Sequence, residues 1–304
     1  MSDRDGMPPR VAAFPAVASS LIGAAVGGFA LARTGTPLWL APALALGVAA
    51  AIYAVWTRRD RRRRRLAKQP FPSAWRKVLE EVVGFYRELD EGERRRFERE
   101  VRFFLDEQTI TGPRGAPIDD TLAVLVAASA VVLVFGRPGH RYPKLRDIVV
   151  YEGAFDEDYS VRASGNILGM VHAQGPILFS ARSLRSGFRG ERDGRNVGYH
   201  EFAHVLDFDT GQVDGVPSFM PWSAVAPWVK VMHAETAKVE KKRSLLRGYA
   251  ATNEAEFFAV ATEMFFERGA QLKAKHPELY QLLVEAYGQD PARDQADDRQ
   301  PSSR

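Results

Sequence analysis

The chain has 304 residues, 45% of them hydrophobic, enough for one large domain or two ordinary ones with a buried core. It contains no cysteine, which excludes disulfides, iron–sulfur clusters and thiolate metal sites, so any transition metal must be held by His, Asp or Glu. The net charge of +4 is unevenly spread: residues 57–68 alone carry +7, residues 1–56 carry +1, and the remainder is mildly acidic at −4.

After a short tail, residues 1–10, come two uncharged runs: Val11–Ala32, of 22 residues, and Leu38–Trp56, of 19, joined by "RTGTP". A helical membrane span needs about 20 apolar residues. Length and composition therefore predict a two-helix transmembrane hairpin over residues 11–56, with Tyr53 and Trp56 suited to an interfacial belt. An Arg-rich juxtamembrane linker, residues 57–69, follows at once. By the positive-inside rule it lies on the cytoplasmic side, which predicts an inner-membrane protein whose remaining chain faces the cytoplasm. Residues 57–68 would then meet anionic lipid headgroups. A cleaved signal peptide fits less well, because Asp3 and Asp5 offset the early arginines. A nucleic-acid patch fits less well too, since the cluster lacks interleaved aromatics, and no nucleic-acid partner is expected.

Residues 70–289 have the composition of a globular domain. Apolar spacing predicts helices over 73–89 and 90–108, the second with Asp90 as N-cap. The apolar stretch in 118–136 is shorter than a span and predicts a buried core helix. Strands are expected at 145–153 and, around Gln174-Gly175-Pro176, in two pieces of 165–183. Helical period returns with "RDGRNVGYHEFAHVLDF", then over 223–242 and 253–268, the last capped by Asn253 or Thr252. Residues 290–304 are polar and predict a disordered tail. Helices, a small mixed sheet and more helices make an α+β domain.

The chemistry concentrates in H-E-x-x-H: His200, Glu201 and His204. On a helix, residues i and i+4 share a face, so both imidazoles can point at one zinc ion while Glu201 reaches a water without being a ligand. Such a glutamate can take that water's proton and pass it to a leaving amine. A catalytic site of this type needs a third protein ligand. The position three beyond His204 is Asp207 and the position six beyond it is Thr210, so neither extended signature is present and a carboxylate from a later helix is expected. Glu256 and Glu263 stand seven apart on one helix face, and spacing alone does not choose between them; Glu254 points elsewhere. Asp207 is a candidate acceptor for a ligand imidazole. His140, His172, His233 and His276 read as surface or loop residues.

"HEFAHVLD" together with "YAATNEAEFFAV" resembles the Mlc titration factor A family of zinc peptidases, and is similar to the C-terminal catalytic domain of anthrax lethal factor, a gluzincin. The resemblance covers roughly residues 70–290. It implies a zincin-like metallopeptidase fold, one zinc ion per chain, Glu256 as the third ligand beside His200 and His204, Glu201 as general base, and Tyr249 as a donor to the oxyanion. It also implies a peptide or protein substrate that pairs with an edge strand at Gly175–Ser180. The hairpin departs from the family, whose named member is soluble. That leaves open whether a transcriptional regulator, the family's described partner, is bound here; a sequestering protein with weak proteolysis is the alternative function.

Overall fold

A computed structural model describes residues 40–140, 142, 145, 147–152, 176–189 and 193–293, together with 18–20, 22, 23, 25 and 29. The chain divides into two compact units, Met1–Pro70 and Phe71–Arg304.

In the first unit, helix α1 (Leu40–Trp56, 17 residues) is followed by α2 (Arg58–Leu66). The Thr57 N–H and hydroxyl both donate to the Tyr53 carbonyl, so the chain keeps helical pitch between them. At 1.5 Å per residue, the 17 described residues of α1 span about 26 Å, and residues 38 and 39 of the expected run lie outside the described residues. No helix among the described residues is long and apolar enough to cross a membrane. Among the described residues, the second half of the expected hairpin is an apolar helix with a cationic continuation. Most of the first predicted span, residues 11–32, lies outside the described residues.

The second unit is mostly helical. Residues 73–89 form two helices, α3 (Ser73–Val82) and α4 (Gly84–Glu88), instead of one. Val83 leaves helical backbone (φ −92°, ψ 98°) and is fully buried, and the Arg87 guanidinium bonds the Glu81 carbonyl near the break at 3.2 Å. Helix α5 (Glu91–Glu107) opens with a reciprocal cap: the Glu93 N–H donates to Asp90 Oδ1 and the Asp90 N–H to Glu93 Oε2. Helix α6 (Asp120–Val134) is buried almost all round, as its unbroken apolar sequence requires. It packs against α3 and α5. Phe85, Phe97 and Phe135 meet beside it at centroid distances of 5.6–5.8 Å.

Strands β1 (Ile110–Thr111), β2 (Ile148–Tyr151) and β3 (Ile177–Ser180) form a parallel sheet in the order β1-β2-β3, with Ile148 paired to Ile110 and Ile177. The expected sheet was mixed; among the described residues every pairing is parallel, and α6 lies in the connection from β1 to β2. The strand expected in the first half of 165–183 lies outside the described residues. Helix α7 (Ala181–Arg189) follows β3 directly, so the second expected strand ends at Ser180 and not at 183. Phe179 of β3 is fully buried and packs on Phe202 at 5.9 Å.

Helix α8 (Val197–Asp207) carries the motif, α9 (Trp222–Glu240) follows, and a 3-10 turn (Gly248–Ala251) leads into α10 (Glu254–Glu267). Phe257, Phe258, Phe265 and Phe266 are core residues, each worth about 1.5–3 kcal/mol of burial. Helices α11 (Gly269–Lys275) and α12 (Pro277–Tyr287) complete the domain. The ends of α6 and α12 cap each other. Arg137 donates to the Ala286 and Glu285 carbonyls, and Gln289 donates to the Val132 carbonyl at 3.0 Å. The approach is close enough that a Cβ on Gly136 would fall 2.4 Å from the Gly288 oxygen. Where a tail was expected from 290, Pro291 and Ala292 are buried and the Ala292 N–H bonds Tyr280 Oη at 2.9 Å; residues 294–304 lie outside the described residues.

Candidate metal centre

Two features set α8 in place. Asn196 caps it, accepting from the Tyr199 N–H at 3.2 Å, and the Asn196 side-chain amide reaches Gly187 and Glu267. Gly198 lets the helix lie directly on α6: a Cβ there would stand 2.0 Å from Ser129 Oγ and 2.7 Å from Ser129 Cβ. One helical turn then brings His200 and His204 onto the same face, their Nε2 atoms 3.2 Å apart.

The third corner comes from the first turn of α10. Asn253 caps that helix by accepting from the Glu256 N–H at 2.9 Å, which settles the two expected caps in its favour. Along α10 only Glu254 and Glu256 escape full burial. Glu256 Oε2 lies 3.1 Å from His200 Nε2 and 3.5 Å from His204 Nε2. The same oxygen is buried with no hydrogen bond of acceptable geometry. Three atoms able to ligate a metal thus converge on one point. A tetrahedral ion with bonds of about 2.0–2.2 Å requires ligand edges of about 3.3–3.6 Å; the observed edges are 3.1, 3.2 and 3.5 Å, so a small outward shift of two of them makes room for the ion. Among the described residues this is the one group of three or more His, Cys, Asp or Glu side chains arranged to hold a metal.

Glu263, the other carboxylate on the shared face, lies beneath the site and is fully buried. Its Oε1 is 2.7 Å from His200 Nδ1, its Oε2 accepts from the Asn196 N–H at 2.7 Å, and Arg247 also donates to Oε1. An ionised carboxylate in that position accepts the Nδ1 proton, which leaves Nε2 as the nitrogen that faces Glu256 and can give up its proton to bind a metal. Burial opposes charging of His200, but Glu256 and Glu263 outweigh it and raise its pKa to about 10, so a metal entering here displaces a proton. Burial alone would lift the Glu256 carboxyl; the two imidazoles win and hold it far below the usual carboxylate range.

Glu201 is 8% exposed, and its charge is felt at both His200 and Tyr249. Tyr249, in the 3-10 turn, points its hydroxyl at Glu256 Oε1 at 3.3 Å. Burial, then Glu256 and Glu201, push that hydroxyl well above its ordinary pKa, so it stays protonated and available as a donor.

Asp207 does something other than hold an imidazole. It is fully buried, and its Oδ2 accepts from the Gly215 N–H at 3.1 Å. The Gly215 carbonyl accepts from Trp228 Nε1 at 2.8 Å. A Cβ on Gly215, where φ is +70°, would fall 2.4 Å from the Glu254 oxygen. Asp207 therefore ties the end of α8 to the loop that abuts the start of α10; the expected role beside a ligand falls to Glu263. His276 is buried and 2.8 Å from Glu235, not a surface residue, and His140 packs edge-on against Tyr142 and Phe219. His172 lies outside the described residues. Arg247, Gly198 and Gly215 were not picked out from sequence, where no spacing rule marks them; Asn196 was missed although a short polar residue before an apolar run is a cap signal.

Residues 57–288 match the family described as glucose-regulated metallo-peptidase M90. An uncharacterized protein of Synechocystis sp. is 29% identical over 264 residues, covering 81% of this chain and 94% of that protein. Mlc titration factor A of Serratia proteamaculans is 27% identical over 219 residues, covering 67% and 82%. The Salmonella arizonae protein of that name is 26% identical over 210 residues, covering 62% and 80%.

Proposed function

Since the chain belongs to the glucose-regulated metallopeptidase M90 family, we propose that it is a zinc-dependent peptidase that hydrolyses peptide bonds of a peptide or protein substrate. The observation that carries the reading is the convergence of His200 Nε2, His204 Nε2 and Glu256 Oε2 on one point at mutual distances of 3.1–3.5 Å. Two nitrogens and one carboxylate oxygen are a donor set suited to zinc. A metal held by these residues supplies Lewis acidity to the attacking water and the scissile carbonyl. Glu201, next to His200 on the motif helix, takes the water's proton and returns it to the departing nitrogen. The Tyr249 hydroxyl, kept protonated by its surroundings, donates to the oxyanion that develops as the carbonyl is attacked. Strand β3, at the end of the described sheet order, offers its outer edge to an extended substrate.

Comparing the full chain with a Glu201→Gln variant tests this. Chelator-sensitive cleavage of a peptide library, lost in the variant while its zinc content stays at one per chain, is the expected outcome. Equal turnover by the two proteins retires the enzyme.

The same proposal attaches residues 11–56 to the inner membrane, sets residues 57–68 against anionic headgroups and turns the peptidase domain toward the cytoplasm. Exposed large apolar side chains support attachment: Phe29, Leu46 and Val55 are 64–72% exposed, surface that water disfavours. The cationic helix α2, with no buried residue, follows at once, and each arginine near an anionic surface contributes about 1 kcal/mol. Reporter fusions at residue 69 and flotation with liposomes test the placement; a periplasmic signal or a freely soluble chain overturns it.

A second reading draws on relatives named Mlc titration factor A. In it the chain sequesters a transcriptional regulator and the metal serves mainly to shape the binding face. Regulator capture by Glu201→Gln with no cleavage by wild type would favour it.

A further inference from the structure

We propose that Arg247 is a positioning residue of the metal centre, acting on His200 through Glu263. This rests on the metal-centre reading above and extends it to a side chain that touches neither metal nor substrate. Arg247 stands immediately before the 3-10 turn that carries Tyr249. Its Nη2 donates to Glu263 Oε1 and lies 3.4 Å from His200 Nδ1, so guanidinium and imidazole direct their protons at the same oxygen. The Glu263 side chain is 0% exposed and that of Arg247 21%. Arg247 thus brings positive charge from the rim of the site down to a carboxylate shielded from bulk solvent. Its guanidinium carbon is also 5.9 Å from the Tyr249 ring centroid.

Three elements meet at this one side chain: α8 through His200, α10 through Glu263, and the 3-10 turn through the Arg247 backbone. A buried carboxylate is held in place by the groups that satisfy it. Glu263 has Asn196 N–H on Oε2 and shares Oε1 between His200 and Arg247. Removing Arg247 leaves Oε1 with the imidazole alone and the carboxylate undercompensated. Glu263 then turns toward other donors, and the His200 ring loses the partner that fixes its rotation and its tautomer. Loss of such a partner behind a ligating histidine lowers metal affinity by about 10–100-fold. Lysine at the same position keeps the charge and lacks the planar fork, so it recovers part of the effect.

The test uses the full chain as wild type, Arg247→Met and Arg247→Lys. Zinc affinity is measured by competition with a chromophoric chelator, and the visible spectrum is recorded after cobalt replaces zinc. Arg247→Met is expected to bind zinc about 10–100-fold more weakly with an altered cobalt spectrum, and Arg247→Lys to fall between it and wild type. A purely structural role would lower stability yet leave affinity and spectrum of the folded protein at wild-type values, and that result overturns the proposal. So does an Arg247→Lys protein no better than Arg247→Met. If Arg247→Met does not fold, Arg247→Gln, which keeps donors without charge, is judged by the same criteria. Wild type that binds no stoichiometric metal refutes the metal centre itself, whereas tight wild-type binding with an unaffected Arg247→Met refutes the positioning role alone.

Discussion

Replacing Gly198 with alanine tests how the motif helix is seated. The new Cβ would stand 2.0 Å from Ser129 Oγ and 2.7 Å from Ser129 Cβ, in a region where Ser129 is fully buried and already bonded to the Leu125 carbonyl. Carbon atoms rest at about 3.5–4.0 Å, so α8 and α6 must separate by about 1 Å or repack. Overpacking of this kind costs about 1–3 kcal/mol, and the severity of the overlap places this site near the top of that range. Alanine returns about 1 kcal/mol of helix propensity, leaving a net loss of about 2 kcal/mol. Urea unfolding of chelator-stripped protein measures it. A Ser129→Gly partner opens the space, so the double variant should be more stable than the two single losses add up to, by about 1–2 kcal/mol of coupling. Gly198→Ala as stable as wild type, or strict additivity in the cycle, would refute the close-contact reasoning.

Three further outcomes are expected. Tyr249→Phe should keep its metal and lower kcat by about 10²-fold or more with little change in KM, as loss of an oxyanion donor does; an unchanged kcat removes Tyr249 from the chemistry. Burial raises the Asp207 pKa from 3.8 to about 6, the Gly215 N–H pulling it the other way, so the folded state binds the extra proton between those values. Stability from this group is therefore present below about pH 4 and declines as pH rises through about 6, by at most about 3 kcal/mol. Urea unfolding from pH 4 to 7.5 should show that decline relative to Asp207→Asn, and parallel profiles would contradict it. Finally, stripping the metal should lower the unfolding midpoint in proportion to the logarithm of free zinc restored; a midpoint indifferent to zinc means the three donors do not hold it in the folded state.

Much of this site was readable in one dimension. His200 and His204 declare themselves because four residues equal one helical turn, and Asn253 because a cap needs a short polar side chain before an apolar run. Glu256 and Glu263 could not be told apart, since seven residues return to the same face; what separates them is depth, the first turn of α10 lying at the open end and the fifth residue from its end lying under His200. Arg247 and Gly198 stayed hidden because their meaning lies in contacts with residues 16 and 69 positions away. The break at Val83 was invisible because apolar spacing runs on across it. Short strands and a helix of Arg, Ser and Gly after β3 left the sheet's pairing undetermined.

The interlock between the tips of α6 and α12 has a consequence for how the molecule is made. Arg137 waits 149 residues for the Ala286 carbonyl it covers, and the Val132 carbonyl waits for Gln289. During synthesis the most buried helix must emerge with its final turn unfinished and remain so until almost the whole polypeptide has been translated. Nascent chains halted before residue 289 should accordingly be sensitive to proteases around Phe135, and that sensitivity should vanish within a few codons once the closing segment is free to dock.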